Sequence, residues 1–281
     1  MPQRANADAI RRKSVKIIDN ESLERASLSA SSGTGPRGIG RYKEKTLHSV
    51  IKYCFDPDET HHEVKFCGYV ADVFDGTRVT EIQTRDLYRL KSKLSVFSAS
   101  ADVTVVFPVA AKKRLLWIDP GSGEISSVRR SPKRGTALDI LPELYGLKAF
   151  IPDSRVCFCA LLLEIDEYRV SDGWARGGHA GSHRDNRVPL GVCGCVYLCG
   201  PCDYAKLIPE GLPAEFTSKE FAKAAGMASG AAYRSVSSLV TARAAEKCGK
   251  RGHADLYRRI YENGRAANDK IKETVDIYTA L

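Results

Sequence analysis

The sequence predicts an α/β protein followed by a smaller helical module. Three observations predict it. A segment of helical period at 44–55 leads into three strand-like runs between 63 and 84. A second helical segment, 86–99, precedes Val103-Thr104-Val105-Val106-Phe107-Pro108-Val109, a nearly continuous apolar run of the kind a doubly buried strand shows. Residues 216 to 260 then read as helix, tight turn, helix and basic hairpin.

Composition bounds the answer. A chain of 281 residues has room for one large or two modest domains, and its 43% hydrophobic and 27% charged residues are ordinary for a soluble globular protein. The formal charge of +9 points to a polyanion partner, most often nucleic acid. No run is long and apolar enough to span a bilayer and no secretory leader pattern is visible, so no membrane association and a cytoplasmic location are expected. Nine cysteines, an odd number at irregular spacing, are expected as reduced thiols.

Residues 1–40 are expected to be a disordered basic tail. Arg11-Arg12-Lys13 is cationic, 27–36 is rich in breakers, and a transient helix over 10–26 is the most structure the segment promises. Leu47, Val50, Ile51 and Cys54 then form a helical stripe, which Asp56-Pro57 terminates because proline holds its predecessor away from helix. Strands follow at 63–67, 69–74 and 79–84. In the helix at 86–99, Leu87, Leu90, Leu94 and Phe97 make the apolar stripe, with Arg89, Lys91 and Lys93 off it. After the strand at 103–109, Lys112-Lys113-Arg114 breaks the pattern before a further strand at 115–119, a turn at 120–123, a basic loop at 128–135 and a short helix at 137–145. The apolar run from Arg155 ends in Glu164-Ile165-Asp166-Glu167, the charge expected where a strand becomes a loop; 172–187 reads as a Gly-, His- and Arg-rich loop.

The stretch 62–84 carries the chemistry. Two β-rich runs around Asp75-Gly76-Thr77-Arg78 read as a hairpin. If Gly76-Thr77 is the loop, or all of 75–78, Asp72 falls opposite Glu81; if Asp75-Gly76 is the loop, the two are diagonal on one face. Gln83 shares the face of Glu81. Facing carboxylates repel unless a cation lies between them, and Mg²⁺ binds through one or two carboxylates plus water and phosphate oxygens.

This pattern resembles the PD-(D/E)XK superfamily, the restriction-endonuclease-like nucleases, over roughly 41–110. The resemblance implies an α/β restriction-endonuclease-like αβββαβ core with Asp72 and Glu81 as catalytic metal-holding acids, Gln83 in the place where lysine is usual, and Glu63 as an additional acid on the metal. It implies Mg²⁺ or Mn²⁺ as cofactor and DNA as partner. Arg85 and Arg89 are placed to clamp phosphate, and Lys91 or Lys93 to supply the charge that Gln83 lacks. The stretch also resembles an uncharacterised bacterial family with such a core ahead of a DNA-binding-like module.

Cys199-x-x-Cys202 has metal-ligand spacing, and Cys193 or Cys195 with His179 or His183 would complete a zinc site; alternating cysteines in an apolar strand are also ordinary buried thiols. At the C-terminus, Thr217 and Glu220 make a capping box and Gly226 a helix stop. The whole resembles a winged helix-turn-helix domain over 209–281, after a core domain at 41–208. That likeness implies Tyr233, Arg234 and Ser237 facing bases, and Lys250, Arg251 and His253 meeting phosphates. The closing helix, 266–281, would pack on the wing or pair two chains as a homodimer. The reading is a metal-dependent DNA endonuclease; the alternative is a non-catalytic DNA-binding regulator on a decayed nuclease fold, with an RNA-directed enzyme third.

Overall fold

The computed structural model describes residues 15–32, 46–170 and 183–260. Arg11-Arg12-Lys13, the breaker-rich residues beyond 32, His179 and the closing helix lie outside the described residues.

The first described element departs from the expected tail. Helix α1, Asn20–Ser32, starts at Asp19, whose carboxylate accepts from the Ser22 N–H (2.8 Å) while the Ser22 hydroxyl accepts from the Asp19 N–H (2.9 Å). Ile18, Leu23 and Ala26 are buried against helix α2, Thr46–Phe55, whose Leu47, Val50, Ile51 and Cys54 carry the expected stripe. The apolar surface that orders α1 is thus supplied by its partners, which is why its own composition reads as tail.

Strands β1 (His62–Phe66), β2 (Tyr69–Phe74) and β3 (Arg78–Ile82) form the antiparallel start of a sheet. A 3-10 turn at Leu87–Leu90 leads into helix α3, Lys91–Ser100, with Leu94 and Phe97 buried. β4 then runs as one strand from Asp102 to Ile118, with a register shift against β6 between Ala110 and Lys112, and pairs parallel to β3. The expected break at Lys112-Lys113-Arg114 is not there. β5 (Ile125–Arg130) folds back on β4, helix α4 (Leu141–Leu144) sits between 3-10 turns, and β6 (Val156–Val170) pairs parallel to β4. The acids of β6 face the cations of β4: Arg114 binds Asp166 through two bonds of 2.7 and 2.6 Å, Lys113 lies 3.3 Å from Glu167, and Lys112 lies 3.9 Å from Glu164. The acidic stretch therefore stays in strand rather than ending it. β7, His183–Leu198, is antiparallel to β6 and takes up the last residues expected as loop. The result is a seven-stranded mixed sheet in the order β1-β2-β3-β4-β6-β7, with β5 on β4.

Helix α5 (Pro201–Ala205) and β8 (Glu215–Thr217) lead to α6 (Ser218–Ala225), which opens on the Thr217–Glu220 capping box and closes on Gly226 at φ 62°, a backbone setting glycine adopts without cost. α7 (Ser229–Thr241) follows, then the hairpin β9 (Ala245–Arg251) and β10 (Ala254–Arg259), giving a second sheet in the order β8-β10-β9. No boundary in the core separates this module from the large sheet. One apolar cluster runs from Val105 and Leu94 through Leu141 and Leu144 to Phe221, Val236 and Leu239. α7 presents small residues to α4, and the buried Ser238 hydroxyl donates to the Leu141 carbonyl (3.0 Å). No helix among the described residues is long and apolar enough to cross a membrane.

Candidate active site

The β2–β3 turn is held by Asp75, whose carboxylate accepts from the Thr77 N–H (2.8 Å), the Thr77 hydroxyl (2.7 Å) and the Arg78 N–H (2.7 Å). That turn pairs Phe74 with Val79 and Val73 with Thr80, so the next step brings Asp72 level with Glu81. Here the acids themselves replace the ladder. The Ile82 N–H donates to Asp72 Oδ2 (2.7 Å), and the Asp72 N–H donates to Glu81 Oε1 (3.3 Å). Each carboxylate is fixed by the backbone of the other strand, and both line one solvent-open cleft of about 380 Å³.

Two further side chains complete the site. His48, from α2, lies with Nε2 3.2 Å from Asp72 Oδ2. Lys93, from α3, donates to both oxygens of Glu81 at 2.9 and 3.2 Å. Glu81 is almost fully enclosed, its side chain 1% exposed, while Lys93 is 27% exposed at the cleft wall. Burial, and then the negative charge of Asp72, push the Glu81 carboxyl up to about 7 in spite of Lys93. At Asp72, burial opposes ionisation but is outweighed by His48, by the Ile82 N–H and by Lys93, so its pKa is lowered. The pair is split: one acid is held ionised and its neighbour is left able to carry a proton near neutrality.

Gln83 lines the cleft just past the end of β3, with its N–H on the Val106 carbonyl (3.0 Å) and its side-chain amide donating to the Arg85 carbonyl (2.7 Å). Arg89 stands in the cleft wall, 3.6 Å from Asp86. Arg85, 73% exposed, is outside the lining. Glu63 does not join the acids: it is bound to Lys52 of α2, away from the cleft, and its expected place on a metal is corrected accordingly. Asp72 and Glu81 are the cleft residues that could hold a hard divalent cation, which binds proteins through one or two carboxylates plus water and phosphate oxygens. A closed zinc site needs four protein ligands, and among the described residues no group of even three His, Cys, Asp or Glu is arranged for a metal.

The cysteine expectation is corrected too. Cys199 is joined to Cys157 in a disulfide, because β6 and β7 place the two directly opposite with Cα atoms 4.5 Å apart, inside the range a disulfide spans. Cys199 therefore does not pair with Cys202 on a metal, and the thiols are not all reduced.

The basic candidates of the C-terminal module divide. Tyr233, 52% exposed, and Arg234 stand on the outer face of α7. Lys250 and His253 are exposed along and at the tip of the β9–β10 hairpin. Ser237 instead accepts from Lys148 (3.0 Å), and Arg251 is tied to Glu220 (2.9 Å) and to the Glu215 carbonyl (3.4 Å). Both have partners within the protein, although the Arg251 side chain stays 55% exposed.

His48 was not legible as a site residue. It sits beside Leu47 at the edge of an apolar stripe, and only the packing of α2 over the end of β3 brings it to Asp72. Lys93 carried a weak signal as a cation off the stripe of its helix.

The fold and cleft define a mixed α/β protein with a paired-acid cleft at a strand end. The chain belongs to the family described as Domain of unknown function (DUF8091), which matches residues 45–199 and so contains the whole cleft. It is also 29% identical over 136 residues to an uncharacterized protein of Treponema pallidum (strain Nichols), a match covering 48% of this chain and 53% of that protein; the chain thus spans about half the length of that relative. No solved structure matches.

Proposed function

We propose that the chain is a metal-dependent DNA endonuclease, a phosphodiester hydrolase on a restriction-endonuclease-like core of the PD-(D/E)XK type with a winged helix-turn-helix module. The observation that carries this is the meeting of Asp72, Glu81 and Lys93 in one cleft. The order helix, three strands, helix, strand, with β4 parallel to β3, supports it.

Asp72 and Glu81 would hold Mg²⁺ or Mn²⁺. When bound, the ion supplies Lewis acidity to the scissile phosphate and lowers the pKa of its water. Asp72, kept ionised by His48 and the Ile82 N–H, gives a permanent negative ligand. Glu81, whose carboxyl burial and Asp72 push up to about 7, would hold the ion in its ionised form. Lys93 holds positive charge beside the developing phosphoryl charge, the role Gln83 has no charge to fill. Gln83 is positioned at the cleft to orient the attacking water, and Arg89 to meet a neighbouring phosphate. Arg234 would face bases, and Lys250 and His253 would add contacts to the DNA backbone.

The test is incubation of supercoiled plasmid and linear DNA with Mg²⁺, Mn²⁺ or a chelator, with Glu81→Ala beside the wild type. Metal-dependent strand breakage that disappears in the variant supports the reading. The second reading, a non-catalytic DNA-binding regulator, is favoured by the direct Glu81–Lys93 pair and by the engagement of the Gln83 amide with Arg85. DNA binding that is indifferent to metal, with no breakage under any condition, selects it.

A further inference from the structure

On the face of the sheet under the N-terminal segment, β6 and β7 carry a ladder of sulfur. Cys157 faces Cys199 in the disulfide; one pair further along, Cys159 faces Tyr197; one further again, Leu161 faces Cys195. The Cys159 and Cys195 sulfurs lie diagonally across the strands at 3.3 Å, in hydrogen-bond contact. Cys159 is buried and Cys195 half-buried. Residues 16–18 cross above them. Tyr197 donates its hydroxyl to the Lys16 carbonyl, and the Ile18 N–H points to the Cys195 sulfur.

We propose that Cys159 and Cys195 are a redox site, a dithiol that hydrogen peroxide converts to a reversible cross-strand disulfide. The sulfurs need to approach by only about 1.3 Å to reach bonding distance. The two thiols are unequal in the way the chemistry requires. The Cys159 hydrogen bond, against burial and with help from Tyr197 and Ile18, lowers the Cys195 thiol, whereas burial and then Cys195 push Cys159 up. Cys195 is the more accessible of the two and so the one that peroxide reaches first. Cys54 is a useful contrast: it is buried with its thiol pushed up to about 12, chiefly by burial, and lacks both features.

The steps balance. The Cys195 thiolate attacks one peroxide oxygen; the S–O bond forms, the O–O bond breaks, and the leaving hydroxide takes a proton to become water. The Cys159 sulfur then attacks Cys195; the S–S bond forms, the S–O bond breaks, and the departing hydroxide leaves as water with the Cys159 proton. The dithiol loses two hydrogens and two electrons, and peroxide becomes two waters. A dithiol reductant reverses it by exchange.

The experiment is peptide mapping of the full chain by mass spectrometry, with and without hydrogen peroxide, followed by alkylation and tryptic digestion without reduction. Trypsin releases 156–169, with Cys157 and Cys159, and 188–206, with Cys193, Cys195, Cys199 and Cys202. Before peroxide the two peptides are expected to be linked once, with Cys159 and Cys195 alkylated. After peroxide the linked pair is expected to carry no alkyl group on Cys159 or Cys195 and to weigh two hydrogens less than the same pair with those two thiols free, with fragmentation assigning the new bond to Cys159 and Cys195. A thiol reductant should restore alkylation. In Cys159→Ser the second bond should not form, and Cys195 should instead be trapped as sulfenic acid by dimedone. Continued alkylation of both thiols after peroxide, or a second bond through Cys193 or Cys202, overturns the proposal. The wild-type map alone decides the matter if the variant fails to fold.

Discussion

Lys93 places its ammonium 2.9 Å from Oε2 of Glu81, although the two residues come from a helix and a strand that enter the cleft from different directions. The backbone bond from Ile82 to Asp72 holds the second acid beside this pair. The site therefore contains two acids and one fixed positive group before any cation is added, with Asp72 held ionised and Glu81 carrying a proton up to about 7, and its behaviour follows from that charge count.

The first consequence is a pH signature of the metal-free protein. Folded Glu81 keeps its proton to about 7, whereas the unfolded group releases it near 4.5. Between those values the folded state binds more protons, so the contribution of Glu81 to stability falls as pH rises. Asp72 has the opposite sign: its lowered pKa gives stability that is present above the ordinary carboxylate range and lost as pH falls through the folded value. Urea unfolding from about pH 5 to about pH 8 should show that decline in the wild type, and Glu81→Gln should flatten it.

Lys93 and Gln83 should be unequal in importance. Lys93→Ala removes the charge beside Glu81 and should lower DNA cleavage by about 10²- to 10³-fold, the usual effect of losing one electrostatic donor. Gln83→Ala, which leaves that charge in place, should cost about tenfold or less. Lys93→Arg should retain more activity than Lys93→Ala. Single-turnover cleavage rates at saturating Mg²⁺ give the ranking, and a larger loss from Gln83→Ala would reverse the assignment.

The C-terminal basic residues should separate by measurement of DNA affinity against salt. Lys250→Ala should weaken binding and reduce the slope of log K against log salt by about 0.9, whereas Arg234→Ala, at a base contact, should weaken binding and relax sequence preference. Arg251→Ala and Ser237→Ala should change that slope little, because Arg251 is held by Glu220 and Ser237 by Lys148. Their effect should fall on thermal stability instead.

The continuous core predicts one unfolding transition. Leu239 is fully buried in the same cluster as Leu141 and Leu144. Leu239→Ala should cost about 2–5 kcal/mol and shift the whole denaturation curve, whether followed by Trp117 fluorescence in the large sheet or by far-ultraviolet circular dichroism. A separate early transition confined to the helical signal would contradict it.

Much of this arrangement was legible in sequence because it depends on local period. The stripe of α2, the β2–β3 pairing and the Thr217–Glu220 cap each need only a few neighbouring residues. What was not legible depends on distant partners. Lys112-Lys113-Arg114 looked like a break because the acids that neutralise them lie some fifty residues on, in β6. Helix α1 looked like tail because Ile18, Leu23 and Ala26 gain burial only from α2 and β7. Cys157 and Cys199, 42 residues apart, pair through strand register, which spacing does not reveal. Glu63 had the right chemistry but the wrong neighbour, since Lys52 claims it.

If Asp72 and Glu81 share one divalent cation, calorimetric titration with Mn²⁺ near pH 6.5 will show it. One site should bind with release of a proton from Glu81, visible as a heat that depends on the ionisation enthalpy of the buffer. Asp72→Asn should abolish that binding while the protein remains folded. Unchanged Mn²⁺ affinity in Asp72→Asn, or binding in the wild type without proton release, would contradict it.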